Sequence, residues 1–360
     1  MLSLDNRATF LALVRLGLGK WDDTIVVPKG VDWDDIDVLA NEQGLSSIVV
    51  DGLEKLPEAQ KPSKPVLLQW VGETLQNEQQ CAVQHKVACK MAVLFHQNEI
   101  RTYVLKGAVV AECYPNPEHR LSSDMDCYLL PQRGDFDAWS LGNNLIKSHG
   151  FKVSTSFYKN STFYLPGLTV ENHRFLTPFR GNKKLTLLER VLQSLLADDS
   201  GVDRFDGTWL YRPPVMVSAL FLIEHSYSHF LHEGLTWRHV LDWVMFVKKH
   251  KAEIDWPSLS AYVDEFGFRK FYDAYLRMGQ YLMGELTEGE LANAEKRMLS
   301  DIWAPLDLHE TLHGVKGKLG LVRSTLRARW KYRLFGDISM LHALWIQVYG
   351  FLFMKNPKLC

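Results

Sequence analysis

Residues 124–131 read Asp124-Met125-Asp126-Cys127-Tyr128-Leu129-Leu130-Pro131, an acidic pair that runs straight into an apolar segment stopped by a proline. A short apolar run bounded this way reads as a strand. In a strand, residues i and i+2 point to one side, so Asp124 and Asp126 share a face. Upstream, Ile100 to Leu105 is a second apolar run, and Lys106-Gly107 after it marks a turn. Ala108 to Tyr114 then fits a helix stopped by Pro115 and Pro117. Downstream, Phe136 to His149 has helical spacing, with Gly150 as its C-cap. Ser161 to Pro166 and Leu168 to Phe175 are strand-like and joined by Gly167. Together these segments make a compact unit of strands and helices around the acidic pair.

On both sides of this unit the pattern is helical. Met1 to Lys20 reads as an amphipathic helix with Phe10, Leu11, Val14 and Leu18 on one side, without the layout of a signal peptide. Asp32 is placed to cap a helix from Trp33 that buries Ile36 and Leu39. Lys55 to Pro65 is a connector, and Pro65 opens a long helix whose apolar stripe continues through Val83, Val87, Met91 and Leu94. Later, Pro213-Pro214 opens a helix to Gly234, Thr236 caps another through His250, and Pro257 starts a third. The expected fold class is α+β: a helical N-terminal region over residues 1–90, an α/β core over 91–180, and a larger all-helical C-terminal domain over 181–360.

The chain's 41 Lys plus Arg against 42 Asp plus Glu leave a formal charge of −1, so no global basic field points to bulk nucleic-acid binding. The five cysteines, Cys81, Cys89, Cys113, Cys127 and Cys360, are odd in number and form no CxxC pair. They indicate neither a disulfide framework nor a zinc ribbon. Cys113 and Cys127 lie in apolar contexts and read as small core residues. The apolar run Leu341 to Met354 is shorter than the roughly 20 residues a bilayer span needs. It reads as a buried helix, no membrane partner is expected, and the expected location is cytoplasmic.

Three Asp-x-Asp strings occur: Asp35 with Asp37, Asp124 with Asp126, and Asp135 with Asp137. The first sits in a predicted helix, where i and i+2 do not share a face. The third sits at a helix start, where acidic residues favour the dipole. Only Asp124 and Asp126 begin a strand, where two carboxylates can hold a hard cation with phosphate oxygens completing its shell. Alternation in Leu168 to Phe175 puts Thr169, Glu171 and His173 on one face, which makes Glu171 the candidate third ligand. The cation is expected to be Mg²⁺ or Mn²⁺. Such a site suits in-line displacement at the α-phosphorus of a nucleoside triphosphate. Gly107 would let backbone amides approach the triphosphate, and Lys106 or Arg120 would neutralise it. His225, His229 and His232 share a face of the Pro214–Gly234 helix, as a polar stripe, as a pocket lining or as a zinc site. Arg238 and Asp242, at i and i+4, are expected to form an ion pair, and Trp237, Trp243 and Phe246 to be core.

Several of these strings, in this order, carry a resemblance. Leu105-Lys106-Gly107-Ala108, Tyr114-Pro115, Arg120, Asp124-Met125-Asp126 and Glu171-Asn172-His173 are followed by His225, His229, Arg238 and Asp242. Over about residues 90–250 the chain resembles the bacterial uncharacterised nucleotidyltransferase family of the DNA polymerase β-like superfamily. The resemblance implies a minimal nucleotidyltransferase core, a mixed sheet flanked by helices, using Mg²⁺ and a nucleoside triphosphate. It implies Asp124, Asp126 and Glu171 as catalytic metal ligands, with Lys106, Gly107, Arg120, His173, His225 and His229 around the nucleotide. One departure is Ala108, which stands where the superfamily has Ser or Gly at the phosphate turn. The acceptor stays open: a protein, a metabolite, a sugar phosphate or an RNA end. Two rivals are a non-catalytic nucleotide-binding or regulatory protein that keeps the fold, and a zinc hydrolase built on His225, His229 and His232.

Overall fold

The computed structural model describes residues 4–20, 27–28, 30–155, 158–179, 181–198, 202–205, 207–304 and 326–353. Cys360 and Met354 lie outside the described residues. Three helices come first: α1 (Leu4–Gly17), α2 (Trp33–Glu42) and α3 (Ser46–Glu54). The Asp32 side chain accepts from the backbone N–H groups of Asp34 and Asp35, which is the expected cap of α2. The long helix α4 (Lys64–Gln97) leads into strand β1 (Ile100–Val104), the short helix α5 (Ala108–Ala111) and strand β2 (Asp124–Pro131). Then come α6 (Ala138–Ser148), β3 (Lys152–Ser154), β4 (Asn160–Leu165), β5 (Leu168–His173) and α7 (Lys183–Ala197). Two small strands, β6 (Asp203–Arg204) and β7 (Leu210–Arg212), precede α8 (Val215–His232) and α9 (Trp237–His250). The described chain closes with α10 (Trp256–Glu265), α11 (Arg269–Leu282), α12 (Asn293–Ile302), α13 (Arg329–Phe335) and α14 (Met340–Phe353).

The seven strands form one mixed sheet in the order β3-β4-β5-β2-β1-β7-β6. β1 and β2 are antiparallel, while β2 runs parallel to β5 and β1 parallel to β7. Alternation along β2 sorts its side chains to two cores. Met125, Cys127 and Leu129 join Val170 and Phe163 beneath Ala92 and Phe95 of α4 and Ile146 of α6. Tyr128 faces the other way, into a larger core shared with Tyr103, Tyr211 and the helices. That core joins α1 to the C-terminal helices, with the Trp303 ring edge-on to both Phe10 and Trp237. Trp237, Trp243 and Phe246 are buried there.

Three expectations need correction. The helix expected to be buried over the Leu341 run, α14, instead exposes Leu341, Trp345 and Val348. The stretch 181–360 is not all helical, because β6 and β7 extend the sheet beyond β1. β7 is short because Pro213 follows it and cannot donate to a ladder. The helix expected over Ala108 to Tyr114 ends at Ala111. Cys113 and Tyr114 then turn their N–H groups to Val110 and Ala111, three residues back, in the tighter geometry that ends many helices. Among the described residues no helix is long and apolar enough to cross a membrane.

Candidate active site

The site starts at the end of β1. Gly107 holds φ 68° and ψ −105°, a conformation that side chains with a Cβ rarely adopt, and caps α5. A Cβ there would stand 3.3 Å from Ser122 Oγ, and that hydroxyl donates to Asp124 O at 2.7 Å. Leu105 N donates to Asp126 O at 3.0 Å, which fixes the turn against the start of β2.

The parallel pairing of β2 with β5 sets Asp124 opposite Thr169 and Asp126 opposite Glu171. Asp126 is only 2% exposed. Its Oδ1 lies 2.9 Å from His173 Nε2, and its Oδ2 lies 3.1 Å from the Lys106 ammonium. Burial alone would raise the Asp126 pKa. Lys106 and His173 together outweigh it and hold the carboxyl well below the usual carboxylate range. Glu171, by contrast, is pushed up by burial and by the charge of Asp126. Asn160 Nδ2 donates to Glu171 Oε2 at 2.7 Å and fixes its orientation.

Asp126, Glu171 and His173 bring ligand-type atoms within 4.8 Å of one another. Asp124 stands one step up the strand and lines the same cavity as Glu171. The cavity holds about 550 Å³ between this sheet edge and α8. Lys106, Lys159, Asn160 and Thr162 line the sheet side. Glu224, His225, Ser228, His229 and His232, with Glu233 just beyond the helix, line the other.

The donors at the carboxylate cluster suit a hard divalent cation, since two crowded carboxylates need positive charge between them. Asp126 Oδ2 accepts no well-directed hydrogen bond among the described residues, and the Lys106 ammonium supplies the balancing charge. The carboxylate oxygens of Asp124, Asp126 and Glu171 are of the type that fits Mg²⁺ or Mn²⁺, while Lys106 stands against one of them.

The remaining predicted residues are distributed unevenly. Lys106, His225 and His229 reach the cavity, while His173 is buried behind Asp126 and braces it. Arg120 does not reach it. Its guanidinium is buried in a two-pronged pair with Asp242, Nε to Oδ1 at 3.1 Å and Nη2 to Oδ2 at 2.6 Å. The Tyr114 hydroxyl donates to the same Asp242 Oδ1 at 2.7 Å. Burial works against the charge on Arg120, but Asp242 outweighs it. The expected Arg238–Asp242 pair is thus replaced by one across 122 residues, and Arg238 Nη1 instead reaches Leu121 O at 3.4 Å.

The histidine set also changes membership. Among the described residues the atoms that converge belong to His225, His229 and His239, not His232. His239 Nδ1 accepts from the Thr236 backbone N–H at 3.2 Å, so the neutral ring carries its proton on Nε2 and offers no lone pair inward. Lys106 Nζ lies 3.0 Å from His225 Nε2, where a zinc ion would need that lone pair. Burial, reinforced by Lys106, pushes the His225 pKa well down, so this ring stays neutral and accepts from the ammonium. The zinc-hydrolase reading therefore loses its ligand set.

Sequence reasoning missed Lys159, Asn160, Glu224 and His239. A signal existed for Glu224, a carboxylate set between the apolar run Ala219 to Ile223 and His225. Burial pushes its pKa up to about 7, against the pull of Lys159. A family model described as an uncharacterised nucleotidyltransferase matches residues 29–284. No curated protein and no solved structure matches the chain.

Proposed function

The chain belongs to the uncharacterised nucleotidyltransferase family, and from that premise we propose that it is a Mg²⁺- or Mn²⁺-dependent enzyme. It moves a nucleoside monophosphate from a nucleoside triphosphate to an acceptor hydroxyl. The observation that carries this reading is the β2–β5 register, which sets Asp126 beside Glu171 at the edge of a cavity that Asp124 also lines. Asp124, Asp126 and Glu171 would hold the cation, which when bound neutralises charge on the polyphosphate.

The chain's own residues do the rest. Lys106 and Lys159 face the cavity from the sheet side and offset the triphosphate's charge. Gly107, with no side chain, lets the backbone approach the phosphates closely. His173 fixes the orientation of Asp126, and Asn160 that of Glu171. Glu171 orients the acceptor hydroxyl. The hydroxyl oxygen bonds to the α-phosphorus, the bond to the bridging oxygen breaks, pyrophosphate leaves, and the hydroxyl proton passes to water.

One observation favours the rival, a non-catalytic nucleotide-binding or regulatory protein. Lys106 places an ammonium 3.1 Å from Asp126 Oδ2, where catalysis would need the metal's charge. Pyrophosphate release from ATP, CTP, GTP and UTP with Mg²⁺ and cell extract as acceptor source separates the two. Release that disappears in Asp124→Asn and Asp126→Asn supports the enzyme. Nucleotide binding with no release under any condition supports the rival.

A further inference from the structure

Two other buried carboxylates of this fold, Glu189 and Asp242, are fully engaged. Glu189 accepts from Leu176 N, Thr177 N, Thr177 Oγ1 and Gln193 Nε2. Asp242 accepts from Arg120 and Tyr114. Glu224 is as deeply placed, 1% exposed, yet among the described residues its Oε2 has no hydrogen-bond partner. An unpaired buried carboxyl is costly to keep unless something fills the vacancy. Glu224 also lines the cavity that Asp124 and Glu171 line from the opposite side. Ser228, one helical turn on, and Glu233 continue the same wall, which carries no lysine or arginine.

We propose that Glu224 is the recognition residue for the acceptor, and that the acceptor is a small molecule whose amine N–H or hydroxyl O–H donates to the Glu224 carboxyl. The word acceptor rests on the nucleotidyltransferase reading; the binding site itself does not. A cavity of about 550 Å³ is of the size that takes small ligands. The α8 wall selects by charge. Glu224 and Glu233 offer a phosphate no lysine or arginine partner on that side, whereas an amine or hydroxyl gains a hydrogen bond there. The two lysines of the cavity stand on the sheet side, with the triphosphate. Sugar phosphates therefore fit this wall worse than aminated or unmodified sugars of the same size.

The test uses three probes of one size: glucosamine, glucose and glucose 6-phosphate. Each is titrated by ligand-observed NMR into the wild type and Glu224→Gln, with and without Mg²⁺ and a non-hydrolysable ATP analogue. Circular dichroism checks the fold, and Glu224→Asp serves as second variant should the Gln protein not fold. The expected result is glucosamine binding weakened at least tenfold by either substitution. Equal weakening for glucose assigns the contact to hydroxyls, and weakening for glucosamine alone assigns it to the amine. Binding of neither sugar, equal affinity in wild type and variant, or preference for glucose 6-phosphate overturns the proposal. Titration of the Mg²⁺–ATP analogue alone reads the nucleotidyltransferase premise separately. Its failure with Glu224-dependent sugar binding intact removes the reaction and leaves the binding site.

Discussion

Replacing Arg120 tests whether the arginine of the resemblance serves the nucleotide or the fold. Its guanidinium gives two bonds to Asp242 and a third to Leu121 O at 3.2 Å, and the residue is 6% exposed. In Arg120→Met the Asp242 carboxylate stays buried with only the Tyr114 hydroxyl donating to it. Breaking a buried pair from one side costs about 3–5 kcal/mol. Asp242→Leu costs a similar amount and also strands the Tyr114 hydroxyl, adding about 1–3 kcal/mol. The double variant buries no unpaired charge and strands only the Tyr114 hydroxyl, so it falls short of the sum of the singles by at least about 4 kcal/mol. Urea unfolding followed by tryptophan fluorescence reads all four corners of the cycle, with buried Trp243 reporting from α9 beside Asp242. Folded Arg120→Met at low denaturant should bind Mg²⁺–nucleotide within threefold of the wild type. A destabilisation under about 1 kcal/mol, together with a tenfold or greater loss of nucleotide affinity, would refute the structural assignment and return Arg120 to the phosphates.

Three further outcomes follow from the geometry. Gly107→Ala forces a Cβ into φ 68° beside Ser122 Oγ, and should cost about 1–3 kcal/mol in chemical unfolding; a neutral result would show that the turn is not strained. His173→Gln removes the brace on Asp126, and should raise the Mg²⁺ concentration for half-maximal nucleotide binding about 10–100-fold; an unchanged Mg²⁺ dependence would remove that role. Glu224 has a folded pKa raised to about 7 from 4.5. Its contribution is therefore fully present below pH 4.5 and lost as pH rises toward 7. Relative to Glu224→Gln, the wild type should lose up to about 3 kcal/mol between pH 4.5 and 8; parallel stability curves for the two proteins would contradict it.

The strands that carry the site were legible because β1 and β2 are apolar runs stopped by Gly or Pro, and β4 and β5 flank the Gly167 turn, β5 with alternation. β1, β2, β4 and β5 fall within two residues of the segments read from sequence. β6 and β7 were not legible, since two or three residues show no alternation, and β7 joins the sheet only by pairing with β1, about 100 positions away, while β6 pairs with β7. The same limit explains the site. Spacing alone put Asp124 with Asp126, and Glu171 with His173, on common faces. Which strand lies beside β2, and in what register, is a tertiary fact. Helical spacing likewise put His225 and His229 together, but whether His232 or His239 completes the group depends on how α9 approaches α8. For Asp242 the local partner Arg238 was the natural choice, and the fold supplied Arg120 instead.

Isothermal titration of Mg²⁺–ATP, CTP, GTP and UTP into the wild type, and into Asp124→Asn and Asp126→Asn, tests the central claim most directly. The account predicts Mg²⁺-dependent binding of at least one nucleotide to the wild type, weakened at least tenfold by either substitution. Binding that is independent of Mg²⁺ and unchanged by both substitutions, or no nucleotide binding by the folded wild type, would contradict it.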